Sequence, residues 1–216
     1  MSIAERPQMV GLIGRVQNIL LRPKEEWDVI AAEPASVQSL FLGYAVIVAV
    51  GPFIGRLVGR VLLGGLLGGP FGMAAALVGG VVLGVAAYAL NLGLVYVVSL
   101  IVNALAPGFD AKPDPVAALK VSVYSATALW VAGLVSWVPV IGWLIGLAAL
   151  AYTCYLLYLG VEKVMKPPAD KAAIYTAAII IAEIVLYFVI AWIVAMVGAA
   201  AMIGAFATGA AMGPHL

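Results

Sequence analysis

Residues 73–106 read MAAALVGGVVLGVAAYALNLGLVYVVSLIVNALA, without a single charged side chain. A helix needs roughly 20 consecutive, mainly apolar residues to cross the ~30 Å hydrocarbon core of a bilayer. This stretch is longer than that minimum, and in a helix every backbone amide and carbonyl finds its partner within the segment. The stretch therefore predicts a transmembrane helix.

The composition of the whole chain indicates the same class. Hydrophobic residues make up 65% of the 216 positions, charged residues make up 10%, and the mean hydropathy is +1.16. Average soluble domains are about half apolar and about a quarter charged. A soluble protein of this length could not bury so much apolar surface, so the solvent of this chain must be lipid. The net charge of +1 gives no general attraction to nucleic acid.

Further apolar stretches follow one another along the chain, separated by turn residues. The glycine-rich segment Gly64–Pro70 marks the first connection, Pro107–Pro115 the second, Pro139 the third and Pro167–Pro168 the fourth. We predict an all-α integral membrane helical bundle of about five transmembrane helices, preceded by an interfacial amphipathic segment. The predicted spans are about 37–58, 73–106, 116–137, 139–162 and 172–200. Six spans stay an alternative, because the C-terminal end carries no charge that would oppose it.

Basic residues are distributed unevenly between the two ends of these spans. Only Arg56 and Arg60 fall on one side, whereas the side of the N-terminus holds Arg6, Arg15, Arg22, Lys24, Lys112, Lys163, Lys166 and Lys171. Basic loops favour the cytoplasmic side, so we predict a cytoplasmic N-terminus and a C-terminus outside. Trp137 and Trp143 then lie at the outer interface, where amphipathic Trp is favoured.

The first 36 residues differ from the rest, and we treat 1–36 as a cytoplasmic or interfacial segment and 37–216 as the membrane domain. Apolar residues recur in this segment at helical spacing, namely Met9, Val10, Leu12, Ile13, Val16, Ile19 and Leu20. Pro23 suits the first turn of a second short helix. The simpler interpretation is a segment that lies on the inner leaflet or on the bundle. The alternative is a docking face for a cytosolic partner, formed by Leu12, Val16, Trp27 and Ile30.

Polar residues inside the predicted spans are the candidates for a functional site. Glu183 lies about 12 residues after Lys171, a rise of about 18 Å that brings it near the bilayer midplane. A mid-membrane polar layer would also include Asn91, Tyr124, Thr127, Tyr152 and Thr153. A carboxylate in hydrocarbon is costly and is a functional candidate by default; the alternative is a protonated Glu183 that bonds a neighbouring helix. Lys120 is expected to snorkel to the inner interface.

Local motifs follow one another in a definite order: PKEEWDVIAAE at Pro23–Glu33, YSATALW at Tyr124–Trp130, YLLYLG at Tyr155–Gly160, then Lys166-Pro167, Asp170-Lys171-Ala172 and Tyr175-Thr176. In order and spacing they resemble the Yip domain family, multi-pass membrane proteins named for interaction with Ypt/Rab GTPases, and its bacterial branch in particular. The resemblance covers nearly the whole chain. It implies five spans with the N-terminus inside a bacterial inner membrane, and a scaffold for membrane organisation or partner binding without known chemistry.

Two positions depart from the pattern of that family. Relatives often have a proline where this chain has Ala128, which puts the expected kink in question. The acidic segment that eukaryotic relatives use for GTPase binding is not recognisable in Glu33–Ser36. Binding of a Rab-type GTPase is therefore not supported.

Nothing in the sequence indicates an enzyme. The only histidine, His215, is next to the last residue, which argues against a zinc site or a His-based triad. We predict no catalytic, metal or cofactor site, and a membrane-organising or partner-binding protein whose first partner is the lipid bilayer. A second copy or another membrane protein as partner stays open. The alternative function is a small transporter or channel that uses the polar layer around Glu183.

Overall fold

The computed structural model describes residues 11–211, with side chains described as far as Met196 except for residue 194. Residues up to Thr176 form one compact unit, and residues from Ala177 onward form a second. Met9 and Val10 of the predicted apolar stripe lie outside the described residues, as does His215.

All secondary structure in the described part of the chain is helical, and the predicted all-α membrane class is confirmed. Two short helices come first, α1 Leu12–Leu21 and α2 Pro23–Ala32. Four runs that are long and apolar enough to cross a bilayer follow: α3 Val37–Phe109, α4 Pro115–Val135, α5 Ile141–Met165 and α6 Ala172–Ala211, the last through its part Ala172–Ile193.

The 73-residue run α3 folds back on itself at Gly69. This residue has φ 58° and ψ −151°, a conformation essentially restricted to glycine because any Cβ is strained there. Pro70 then opens the second arm, where its fixed φ suits a helix start. The reversal lies within the glycine-rich segment that the sequence predicts as the first connection.

The two arms of α3, residues 37–68 and 70–109, run antiparallel to each other. The Tyr88 hydroxyl donates a hydrogen bond to the Val46 carbonyl oxygen at 2.6 Å. Nearer the arm ends, the ring centroids of Phe41 and Tyr96 are 6.0 Å apart. The arms correspond to the first two predicted spans, and α4, α5 and α6 correspond to the other three.

Glycines allow α4 to pack closely against the first arm of α3. A Cβ added at Gly51 or Gly55 would overlap the carbonyl oxygens of Trp130 and Gly133, respectively. Small residues permit this backbone approach between membrane helices. Gly51 and Gly55 therefore serve packing within the bundle.

The helix α4 is interrupted near the position where relatives of the resembled family have proline. It consists of the α-helices Pro115–Ser125 and Thr127–Ala132, separated at Ala126, and a closing 3₁₀ turn, Gly133–Val135. The Ala126 amide still reaches the Ser122 carbonyl oxygen, at 3.4 Å. The helix thus loosens two residues before Ala128 without a proline.

The N-terminal helices pack against the membrane bundle. Ile19, Trp27 and Ile30 are fully buried. They share one apolar cluster with buried side chains of α3 and α4, among them Leu40, Tyr44, Ala45, Leu119 and Val123. The segment 11–36 is therefore part of the same core as the spans that follow it.

Candidate functional site

A buried ionic cluster joins α1 to α2. The Arg15 guanidinium donates to Glu26 and to Glu33, each at 2.5 Å, and its side chain is 8% exposed. The other carboxylate oxygen of Glu26 accepts from the Asn18 amide at 2.9 Å. Both Arg15 and Glu26 are thus held by more than one charge-assisted bond, the kind that makes a buried ion pair tolerable.

Lys120 of α4 completes this cluster from the other side. Its ammonium donates to the backbone carbonyl oxygens of Ile30, at 2.8 Å, and Glu33. These carbonyls lie at the C-terminal end of α2, where the helix dipole is negative and attracts a cation. The expectation that Lys120 snorkels to the interface is therefore wrong: the residue is 7% exposed, because the N-terminal segment covers it.

The charges of the cluster balance, since Arg15 and Lys120 face Glu26 and Glu33. Burial by itself lowers the pKa of Arg15, but the hydrogen bond and charge of Glu33, with the charge of Glu26, outweigh it and raise the pKa above its ordinary value. Arg15 is therefore fully charged throughout the physiological range.

Three aromatic rings pack together beside these charged side chains. The Trp27 and Tyr124 rings meet edge to face with centroids 6.3 Å apart, and Tyr44 lies 4.6 Å from Tyr124. Arg15 lies 5.9 Å above the Tyr124 ring, within the range of a cation–π interaction. Trp27 rests on Gly160, where an added Cβ would lie 2.7 Å from the indole. Tyr124, assigned to the polar layer, is thus in contact with the ionic cluster.

Three other members of the predicted polar layer are bonded within the protein. Thr127 hydrogen-bonds the Tyr44 hydroxyl at 2.8 Å. Asn91 accepts from the Trp130 indole at 2.8 Å. Tyr152 donates to the backbone carbonyl oxygen of Leu20 in α1, also at 2.8 Å. The structure brings Tyr124 and Thr127 together through Tyr44, whereas the Asn91 and Tyr152 bonds are separate.

Thr153, also assigned to the layer, has a buried hydroxyl without a hydrogen-bond partner among the described residues. The buried indole N–H of Trp27 likewise has no hydrogen-bond acceptor among the described residues. No three His, Cys, Asp or Glu side chains in the described part of the chain are close enough to hold a metal ion.

Comparison with known proteins decides the family. The Yip1 domain matches residues 18–193, which is most of the chain. The chain belongs to the Yip1 domain family. It is 25% identical over 169 residues to the inner membrane protein YohC of Escherichia coli K12, covering 77% of this chain and 86% of that protein. YohC of E. coli O6:H1 matches to the same extent. No solved structure matches.

The Yip1 domain of this chain includes most of the ionic cluster. Glu26, Glu33 and Lys120 lie within the matched residues, and Arg15 precedes them by three positions. The resemblance inferred from local motifs is thereby confirmed, and the cluster belongs largely to the domain itself.

Glu183 lies in α6, in the second unit of this Yip1-domain protein. Its side chain is half-buried. The residue has no ion pair or hydrogen bond among the described residues, in contrast to the bonded polar groups of the first unit.

The residues considered for partner docking all contact the chain's own core. Trp27 and Ile30 are fully buried, and Leu12 and Val16 are partly buried against the same cluster. The exposed side chains of the N-terminal helices include instead Ile13 at 73% and Leu21 at 79%.

Sequence reasoning missed the ionic cluster, although one signal for it was present. Arg15 follows Leu12 by three residues and precedes Ile19 by four, so it lies on the apolar face of α1. A cation on such a face needs a buried partner. Glu26 and Glu33 were available within the same segment, and Lys120 was a second cation without an assigned partner.

Proposed function

We propose that this protein is a non-catalytic module of a bacterial inner membrane, which organises the bilayer or binds another membrane protein. Its N-terminus lies in the cytoplasm and its C-terminus in the periplasm. Support comes from its membership of the Yip1 domain family and from its similarity to an E. coli protein named for the inner membrane.

The bonding of the intramembrane polar groups carries this proposal. Thr127, Asn91 and Tyr152 each use a polar atom in a bond to another part of the first unit. Groups bonded in this way fix helix positions, and a solute pathway would need them open to water or to the solute. The arrangement favours a rigid scaffold.

The distribution of charge supports the proposed orientation. Lys171, in the α5–α6 connection, pairs with Asp110, in the α3–α4 connection. Lys163, near the end of α5, pairs with Asp28 of α2 at 2.8 Å. The two connections and α2 therefore meet at one end of the first unit. Arg56 and Arg60 lie farther along the first arm, toward Trp137, which an added Cβ at Gly59 would contact at 2.8 Å. Basic residues thus collect at the end that we assign to the cytoplasm.

A small transporter is the second candidate, and Glu183 is the observation that favours it. A half-buried carboxylate in a membrane helix, with no bonded partner between residues 11 and 196, is the kind of group that passes protons or binds cations. Ion-coupled carriers commonly show repeated, discontinuous helices around their site, and we identify no such repeat in this sequence.

Proton flux into proteoliposomes tests the two functions against each other. The purified protein is reconstituted, a potassium diffusion potential is imposed, and internal pH is followed with a trapped dye. The scaffold proposal predicts the flux of empty vesicles for the wild type, for Glu183→Gln and for the exposed-carboxylate control Glu162→Gln. Flux that Glu183→Gln abolishes and Glu162→Gln retains would overturn the proposal in favour of a transporter.

A further inference from the structure

The turn between α1 and α2 lies beside the middle of α5. Tyr152, whose hydroxyl bonds the Leu20 carbonyl oxygen, is about 13 residues from Met165 and about 11 from Ile141, or about 20 and 17 Å along the helix. The Leu20 side chain packs beside the buried cluster of Ala128, Ala149 and Leu156. The N-terminal segment therefore penetrates alongside the span to about half its length.

From this turn α2 runs back toward the end of α5. Trp27 rests on Gly160, and Asp28 pairs with Lys163. The helices α1 and α2 thus form a wedge whose deepest residues are Leu20 and Leu21. Leu21 is 79% exposed, as suits a side chain at the apolar tip of a wedge in lipid.

Charged side chains follow directly behind this apolar tip. Arg22, Lys24 and Glu25 are exposed and have no ion pair or hydrogen bond among the described residues. The remaining charged side chains of residues 11–36 are all paired, namely Arg15, Glu26, Asp28 and Glu33. Exposed charge is not stable against hydrocarbon, so polar headgroups or water must reach these three side chains.

A cavity opens among these charges, between α1 and α2. Its volume is about 340 Å³, and Asn18, Arg22, Glu25, Glu26 and Val29 line it. This volume lies in the range of small-ligand sites, roughly 300 to 1,000 Å³. The lining presents a cation, two carboxylates and an apolar edge. Glu26 is 4% exposed, and its bonds to Arg15 and Asn18 hold the inner wall in place.

We propose that this cavity binds the headgroup of a phospholipid that carries both a phosphate and a primary ammonium. The Arg22 guanidinium matches a phosphate with two parallel N–H donors. The Glu25 carboxylate accepts hydrogen bonds from the ammonium. The acyl chains continue past Leu21, at the tip of the wedge, into the leaflet. The bound headgroup is thereby drawn below the level of its neighbours, which thins that leaflet beside the wedge.

This inference rests on the proposed function, because it names the lipid through which the protein organises the membrane. Native mass spectrometry of the full-length protein in detergent measures it. Phosphatidylethanolamine is titrated beside phosphatidylcholine, which lacks N–H donors, and phosphatidylglycerol, which lacks the cation. We expect phosphatidylethanolamine to bind about tenfold more tightly than either, the effect of one charge-assisted hydrogen bond.

Substitutions within and beside the cavity separate specific binding from general attraction. Arg22→Gln and Glu25→Gln should each weaken phosphatidylethanolamine binding about tenfold, while the neighbouring control Lys24→Gln, which does not line the cavity, keeps it. The melting temperature of all three variants should match the wild type, because none of the three side chains has a bonded partner in the part of the chain that the structure describes. Free phosphoethanolamine should not compete at the same concentration, because it lacks the acyl chains.

Equal binding of the three lipids, or a loss with Lys24→Gln as large as with Arg22→Gln, would overturn the inference. Competition by free phosphoethanolamine would also overturn it, by showing a soluble phosphate ligand instead of a lipid. A protein that shows none of the predicted lipid preference but conducts no protons retains the proposed function. A protein that conducts protons through Glu183 loses that function whatever its lipid preference.

Discussion

The ammonium of Lys120 donates to the carbonyl oxygen of Ile30 at 2.8 Å, across 90 positions of sequence. One residue belongs to a membrane span and the other to the N-terminal segment, and both are buried. The C-terminal end of α2 is thus held by a cation from within the bundle. The packing that follows from this attachment and from the turns can be tested by substitution, and the orientation of the chain can be tested by labelling.

Lys120→Met should loosen the N-terminal helices. The change keeps most of the side-chain length but leaves the Ile30 and Glu33 carbonyls without their charged donor, at a cost of about 2 kcal/mol. Unfolding in mixed micelles measures the loss, and limited proteolysis within α1 and α2 should become faster. Lys112→Met, at an exposed position, is the control and should behave as wild type. Equal stability of the two variants would contradict the attachment.

Arg15→Met should destabilise more strongly, by about 3–5 kcal/mol, because it leaves the Glu26 and Glu33 carboxylates buried without their cation. Adding Glu26→Gln should recover part of the loss, since it removes one unpaired charge. Disruption of the exposed Lys171–Asp110 pair by Asp110→Asn should destabilise the protein far less, because solvent screens this pair. A loss with Asp110→Asn as large as with Arg15→Met would contradict the importance of burial.

The bonds of Arg15 to Glu26 and Glu33 also predict how stability depends on pH. The folded state raises the pKa of Arg15 above that of the unfolded chain. Its stabilisation is therefore complete below the ordinary pKa of arginine and is lost only as the pH rises through the folded-state value. The difference in unfolding free energy between wild type and Arg15→Met should accordingly not fall between pH 7 and pH 10. A decline across that window would contradict the prediction.

Gly160→Ala should displace Trp27 from its position on α5. The added methyl group would lie 2.7 Å from the indole, and overpacking of this kind costs about 1–3 kcal/mol. Gly146→Ala on the same helix is the matched control, because an added Cβ there meets nothing within 4 Å. Thermal melts of the two variants should therefore differ, with Gly160→Ala the lower. Similar melts would show that Trp27 does not depend on this contact.

Gly69→Ala should strain the reversal of α3. A side chain at φ 58° and ψ −151° costs about 1–3 kcal/mol or more. The adjacent Gly68→Ala has open space and no unusual φ, so its melting temperature should equal or exceed that of the wild type. The ranking Gly68→Ala above Gly69→Ala is the expected result, and the reverse order would contradict the assigned turn.

Cysteine labelling tests the proposed orientation. On a Cys154→Ser background, Leu66→Cys near the reversal of α3 should react with an impermeant maleimide in spheroplasts, since Leu66 is 81% exposed. Asp170→Cys in the α5–α6 connection should react only after permeabilisation. Reaction of Asp170→Cys alone in sealed spheroplasts would invert the topology.

The spans could be predicted from the sequence because lipid imposes a length and an apolar composition on every helix that crosses it. The turn at Gly69 could be predicted to within a few residues, since the glycine-rich segment around Pro70 signals it. The full length of the arms could not be predicted. Apolar turn residues such as Leu66 and Leu67 extend the helices without a change in composition that would mark their ends.

The candidate site was harder to predict, because it depends on contacts between distant parts of the chain. The amphipathic stripe of α1 marked a buried face at Leu12, Val16, Ile19 and Leu20 but wrongly included Ile13, which is exposed, and it did not reveal which surface covers that face. Lys120 illustrates the difficulty. Its depth from the start of a span suggested snorkelling, and only the position of α2, some 87 to 90 residues earlier, supplies acceptors for it.

The reversal at Gly69 also bears on how the chain enters the bilayer during synthesis. A hydrophilic loop between two spans would have to be carried through hydrocarbon, at about 2.5–3.5 kcal/mol for each charge. Here the connection is a single apolar residue, and between Val37 and Phe109 the only charges are Arg56 and Arg60. Both arms can therefore partition into the membrane together as a preformed pair, with two guanidinium groups as their only charges. The first step of biogenesis then requires no export of a loop by a translocation motor.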